Sequence, residues 1–128
     1  MGQQQLLLIV LGVIIVGIAV VVGINLFTAS SAQANRDAVI SDLTNNSAMA
    51  QQYYRKSKAL GGGGYTFTGW VVAPPIDTTA TGVYTAVVAA QTVTLTGTGN
   101  EKGNNGTSVV KVTMVVGPQS ITSTTINN

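Results

Sequence analysis

From residue 6 to residue 27 almost every position is apolar, and no charged side chain appears before Arg36. A helix of that content is apolar on all faces and calls for burial all round. Its length of about 22 residues is enough to cross the ~30 Å hydrocarbon core of a bilayer. Val and Ile are mediocre helix formers in water. In lipid an unpaired backbone is so costly that helix is the one state open to the segment. Gly12, Gly17 and Gly23 punctuate the run, too far apart for a GxxxG dimer face. Each weakens a helix interior by up to ~1 kcal/mol. They reflect either the general tolerance of membrane helices for glycine or a helix that unwinds locally over residues 17–23 on leaving lipid for a protein environment.

After residue 27 the pattern becomes amphipathic without a break. Residues 28–35 are small and polar, with no Pro or Gly to stop a helix. Val39, Leu43, Asn46, Ala50 and Tyr53 then trace one helical stripe, with Ile40, Ser47 and Tyr54 beside it. Arg55, Lys56 and Lys58 fall near the end, where the helix dipole favours cations. Leu60 followed by Gly61 supplies a C-cap, and the glycines at 61–64 end the helix. The expected division is a long helix over residues 1–60 (hydrophobic 1–27, amphipathic 28–60), a glycine-rich loop at 61–64 and a β head at 65–128. A continuous helix to residue 60 would be roughly 85 Å long, more than so small a head can cover.

From residue 65 the period switches to two. Residues 66–73, 83–90, 91–96, 108–116 and 120–126 are rich in Val, Thr and Ile and bounded by turn residues. In the clearest of them Val110, Val112, Met114 and Val116 share one face. Pro74-Pro75, Thr81-Gly82, residues 97–106 and Gly117-Pro118 read as turns and loops. The prediction is an α+β fold in which an antiparallel sheet of about four strands packs one face on the second half of the long helix. A head of about 64 residues is marginal alone and gains from packing on that helix.

Composition narrows the chemistry. The chain has 128 residues, 8% of them charged, a net charge of +2, and neither cysteine nor histidine. That excludes disulfides, thiolate zinc sites and histidine acid/base catalysis. The four acidic residues are Asp37, Asp42, Asp77 and Glu101. An acid/base pair of Asp77 and Glu101 competes poorly with ordinary solvated loop charges. Residues 61–64 lack the downstream Gly-Lys-Ser/Thr of a phosphate loop. Neither catalysis nor a cofactor is expected. The one basic cluster, Arg55, Lys56 and Lys58, is no nucleic-acid stripe.

The order of segments, with Ala34-Asn35-Arg36-Asp37-Ala38, Asp42-Leu43, the run Ala50-Gln51-Gln52-Tyr53-Tyr54-Arg55 and the glycines at 61–64, resembles the bacterial type IV pilins over about the first 70 residues. Members of that family polymerise into helical surface filaments. The resemblance implies a pilin-like fold, a single-pass inner-membrane subunit before assembly, delivery by pilus assembly machinery, and an extracellular homopolymer with hydrophobic helices in its core. The residues implied for that core are Gln5, Leu6, Leu8, Val10, Val13, Val16, Val20, Ile24 and Phe27, with Gly12, Gly17 and Gly23 as points of helix melting. Pilins usually carry a basic leader ending in glycine and a glutamate shortly inside the mature start. Here a leader would be Met1-Gly2 at most, and Gln3, Gln4 and Gln5 stand where the acid is expected. A neutral amide costs less to bury than a carboxylate and still accepts a hydrogen bond from an amine, so Gln5 is the candidate partner for a neighbour's N-terminal amine, that of Met1 if the chain starts there.

Other readings compete. A pseudopilin or minor pilin of a secretion or pilus machine would share the architecture, and a single-pass membrane-anchored β domain would share the apolar run. Ala32-Gln33-Ala34 fits the small-residue rule of a signal cleavage site. The apolar stretch is nevertheless longer than a signal's usual core and is preceded by no positive side chain. Tyr53 and Tyr54 are better read as packing anchors than as a path for electrons. Asn105-Gly106-Thr107 matches the N-glycosylation pattern, as does Asn45-Asn46-Ser47 within the helix. Asn105 is the candidate modified residue.

Overall fold

A computed structural model describes residues 2–128 of the chain. Helix α1 runs over Gly2–Arg55, a 3₁₀ turn follows at Lys58–Leu60, and a one-turn helix, α2, occupies Pro74–Asp77. Strands β1 (Gly82–Val88), β2 (Val93–Lys102), β3 (Val109–Val116) and β4 (Ile121–Ile126) complete the chain. They form one antiparallel meander in the order β1-β2-β3-β4. The fold is α+β with a pilin-like architecture, a long N-terminal helix packed against a small antiparallel sheet. The molecule divides into two compact units, residues 1–31 and residues 32–128.

The second unit holds the core. Ala32, Arg36, Val39, Leu43, Asn46, Ser47 and Ala50 are the buried residues of α1, spaced three and four apart as one helical face requires. Val39, Leu43 and Ala50 join Tyr84 of β1, Val93 and Leu95 of β2, and Val110, Val112, Met114 and Val116 of β3 in one cluster. The period-two reading of β3 is thus realised, with the four named side chains essentially sealed. In β4 all six residues are exposed.

The elements depart from expectation in four places. The amphipathic helix stops at Arg55 instead of residue 60, because the glycine loop folds back to satisfy its last carbonyls. Gly63 N–H donates to Tyr53 O (2.8 Å), Tyr65 N–H to Tyr54 O (2.8 Å) and Gly64 N–H to Lys56 O (2.9 Å). A Cβ on Gly63 would lie 2.8 Å from the Tyr53 ring, so only glycine lets the loop approach so closely. Gly61 is left-handed (φ 83°) and caps the 3₁₀ turn.

Residues 66–73 form no strand. Gly69 (φ 91°) and the bond from Trp70 N–H to Phe67 O (2.9 Å) turn the chain there, and Phe67 and Trp70 plug the core instead. Pro74-Pro75 opens α2, a first-turn position that suits proline's fixed φ.

Finally, most of the loop expected at 97–106 belongs to β2. Gly97 and Gly99 lie two apart, on one face of the strand. A Cβ at Gly97 would come within 2.6 Å of Val39 Cγ1, and one at Gly99 would collide with the Asn35 amide. These glycines are where the helix rests on the sheet, not where the strand ends.

Candidate functional site

The candidate site is the apolar segment itself. Leu6, Leu8, Val10, Val13, Val16, Val20, Ile24 and Phe27 all lie on α1 and are at least half exposed, up to 74% at Phe27. Gln5 is exposed as well. A Cβ built on Gly12, Gly17 or Gly23 would meet nothing within 4 Å, and the helix is unbroken at all three. Met1, the amine partner named for Gln5, lies outside the described residues.

Fully burying one Val, Leu, Ile or Phe side chain is worth roughly 1.5–3 kcal/mol. Leaving this whole segment in water therefore forgoes tens of kcal/mol, so an apolar stretch of that size calls for apolar surroundings. By length and composition α1 is able to cross a membrane. At the end of the apolar run the Thr28 hydroxyl donates to Ile24 O at 3.0 Å, within the helix itself.

The head is fastened by polar side chains that its sequence pattern did not single out. Asn35 Nδ2 donates to Thr81 O (3.0 Å), while its Oδ1 accepts from the backbone N–H groups of Asn100 (3.2 Å) and Glu101 (3.3 Å). One side chain thus ties the helix to both strands at the open end of the β1–β2 pair, beside Gly99. Arg36, nine-tenths buried, donates to Gln33 Oε1 (2.7 Å) and Asn104 Oδ1 (3.0 Å), and its Nε is left without a partner. The one sequence signal for these contacts was the Gly97-Thr98-Gly99 alternation, which clears a path for a helix on one strand face.

Asp42 accepts from the Tyr84 hydroxyl at 2.6 Å and from Thr79 Oγ1 at 3.4 Å. Burial first, and then this bond to a carboxylate, push the Tyr84 phenol well above its ordinary value. Among the described residues no group of three or more acidic side chains is placed to hold a metal. Asp77 ends α2 and Glu101 lies near the end of β2, with no hydrogen bond between them among the described residues.

Tyr53 and Tyr54 behave as anchors. The Tyr53 hydroxyl donates to Thr68 O (3.0 Å) and that of Tyr54 to Gln91 Oε1 (2.9 Å). The Tyr54 ring also meets Phe67 at 4.9 Å and stands edge-on to Tyr65 at 5.8 Å. Tyr65 adopts a left-handed conformation (φ 66°) and, with Tyr54, Arg55, Pro118 and Gln119, lines an open cleft of about 640 Å³.

Asn105 is exposed in the β2–β3 connection. Its Oδ1 accepts from the N–H groups of Thr107 and Ser108 (both 2.9 Å) and from Asn128 Nδ2 (3.2 Å). In the helical sequon Asn45 is exposed but Ser47 is buried, its hydroxyl donating to Thr44 O.

No family model, curated protein or solved structure matches the chain. The pilin-like description therefore rests on the architecture alone.

Proposed function

We propose that the chain is the structural subunit of a helical extracellular filament, held by residues 6–27 in the inner membrane before assembly. The observation that carries this reading is the contrast along α1. Residues 32–50 bury a face in their own head, whereas the large apolar side chains of residues 6–27 are at least half exposed among the described residues. Lipid covers them in the membrane, and the helices of neighbouring copies do so in the filament. The exchange of one apolar surrounding for another of similar apolarity leaves close packing as the force for assembly. Gln5 remains the candidate to meet a neighbour's N-terminal amine, and the assembly machinery would act as the partner that lifts subunits out of the bilayer.

Cryo-electron microscopy of the purified, detergent-free protein tests the proposal. Helical filaments with residues 6–27 in their core are the expected result. Discrete particles, or material that stays dispersed only in detergent, would overturn it in favour of a single-pass anchored domain or an accessory subunit of a secretion machine.

A further inference from the structure

We propose that β4 is a second self-association surface, on which the edge strands of two copies pair antiparallel about a two-fold axis at Thr124. Strand β4 is the last of the meander, hydrogen-bonded on one side only. An open strand edge is a template for another strand, and proteins usually blunt it with charge, proline or a covering element. The opposite edge has such cover: Thr78 bridges Val83 outside β1, and Phe67 N–H donates to Ala90 O just beyond its end. Along β4 there is no proline, and no charged residue occurs from 112 to 128. An edge without charge repels its own copy least and gives an acidic or basic partner nothing to recognise.

Both faces of β4 are also uncovered. Met114 opposes Thr124 and Val112 opposes Ile126, so Thr124 and Ile126 stand on the core side of the sheet. Ile121, opposite Val116, stands there too, because the register slips by one residue between the Val115 and Val116 pairings. All three are nevertheless exposed, Ile126 at 50%. The core layer thus continues one strand past the helix that seals it, with two isoleucines partly exposed.

The ladder sets the axis. Asn127 N–H donates to Lys111 O, so Thr125 and Ser123 turn their backbone groups toward β3. By alternation Thr124 and Ile126 turn theirs to the open side. An antiparallel partner in step with those groups places Thr124 opposite Thr124 of the second copy, and Ser123 opposite Thr125. A two-fold contact of this kind cannot repeat along a polar helix. If the filament reading holds, on which this one consequence rests, β4 pairing joins two filaments running in opposite directions. Each contact is short, but many in a row act together.

The natural chain has no cysteine, so a single introduced thiol has only its own copy to join. Thr122→Cys, Ser123→Cys, Thr124→Cys, Thr125→Cys and Ile126→Cys in the full chain, under mild oxidation, form the test. Val71→Cys, exposed and outside the sheet, serves as the collision control. Opposed Cα atoms in an antiparallel pair lie within disulfide range, and the expected result is a peak of covalent dimer at Thr124→Cys, about tenfold above the control. A flat profile, or none above the control, would overturn the pairing. Thr124→Lys sets like charges face to face and should disperse bundles at low salt and restore them at high salt. Bundling indifferent to that change counts against it. A Thr124 peak without filaments would retain the pairing and sink the filament, and filaments without the peak would do the reverse.

Discussion

Two stretches of α1 share a backbone conformation and differ in what surrounds them. Over residues 32–50 a buried side chain recurs every three or four positions, and most of the intervening ones are polar or small. Over residues 6–27 no such rhythm exists, and every large apolar side chain is at least half exposed. An amphipathic pattern says that a helix has one partner on one side, here its own sheet. Uniform apolarity says that the surroundings are apolar in every direction, which the described residues do not provide. The two halves should therefore fail independently when altered.

The largest effect is expected from Val16→Asp. A charged side chain at the centre of a membrane helix costs about 2.5–3.5 kcal/mol even on the most lenient scale, and it has no counter-ion among the residues of this segment. Filaments should be absent by electron microscopy. Trp70, the single tryptophan and part of the head core, should still report an unchanged thermal unfolding of the head. Normal filaments would refute a buried apolar core. Leu43→Ala is the converse change. Leu43 is fully buried, and its truncation should destabilise the head by about 2–5 kcal/mol. The Trp70 transition should move to lower denaturant while residues 6–27 still partition into lipid.

Gly97→Val tests the seam between helix and sheet. Its Cβ would press on Val39 Cγ1 at 2.6 Å and on the Tyr84 ring at 3.0 Å, and both are packed in the core. Overpacking of this kind costs about 1–3 kcal/mol, read again in the Trp70 transition. An unaffected midpoint would mean that helix and sheet do not meet there.

How much of this was legible follows from the same seam. The apolar run, the stripe of Val39, Leu43, Asn46 and Ala50, and the inward face of β3 were readable because each obeys one period over several turns or pleats. Residues 66–73 misled because their Thr, Val and aromatic residues have the composition of a strand, while Gly69 turns the chain in their midst. The glycines of β2 misled in the opposite sense, since close approach by a helix leaves the same mark in sequence as a turn. The Arg36 and Asn35 contacts were illegible, for they depend on tertiary neighbours 46 to 68 positions away. Among the described residues nothing covers residues 6–27, so the pattern states the need for apolar surroundings without stating what supplies them.

A smaller effect is tied to pH. The Tyr84 phenol is raised in the folded head above its unfolded value of 10.0. The folded state then holds its proton more tightly than the unfolded one. That contribution is complete below pH 10 and is lost as pH climbs past it toward the folded value. Head stability, followed by Trp70 in denaturant at stepped alkaline pH, should fall above about pH 10. In Tyr84→Phe that part of the decline should vanish. An identical decline in both proteins would remove Tyr84 as its source.

The smallest change probes the first half alone. In Gly17→Ala the added Cβ meets nothing within 4 Å in the chain, and alanine favours a helix interior by about 0.8–1.0 kcal/mol over glycine. The isolated subunit should therefore gain helix stability without a clash. In the filament the outcome turns on whether the segment stays helical there. Because α1 is unbroken at Gly12, Gly17 and Gly23, the expected result is normal assembly with slightly greater resistance to heat. Slowed assembly or weaker filaments would instead mean that the glycines act by letting the helix open as it leaves lipid. The two halves of α1 would then differ in conformational stability as well as in surroundings.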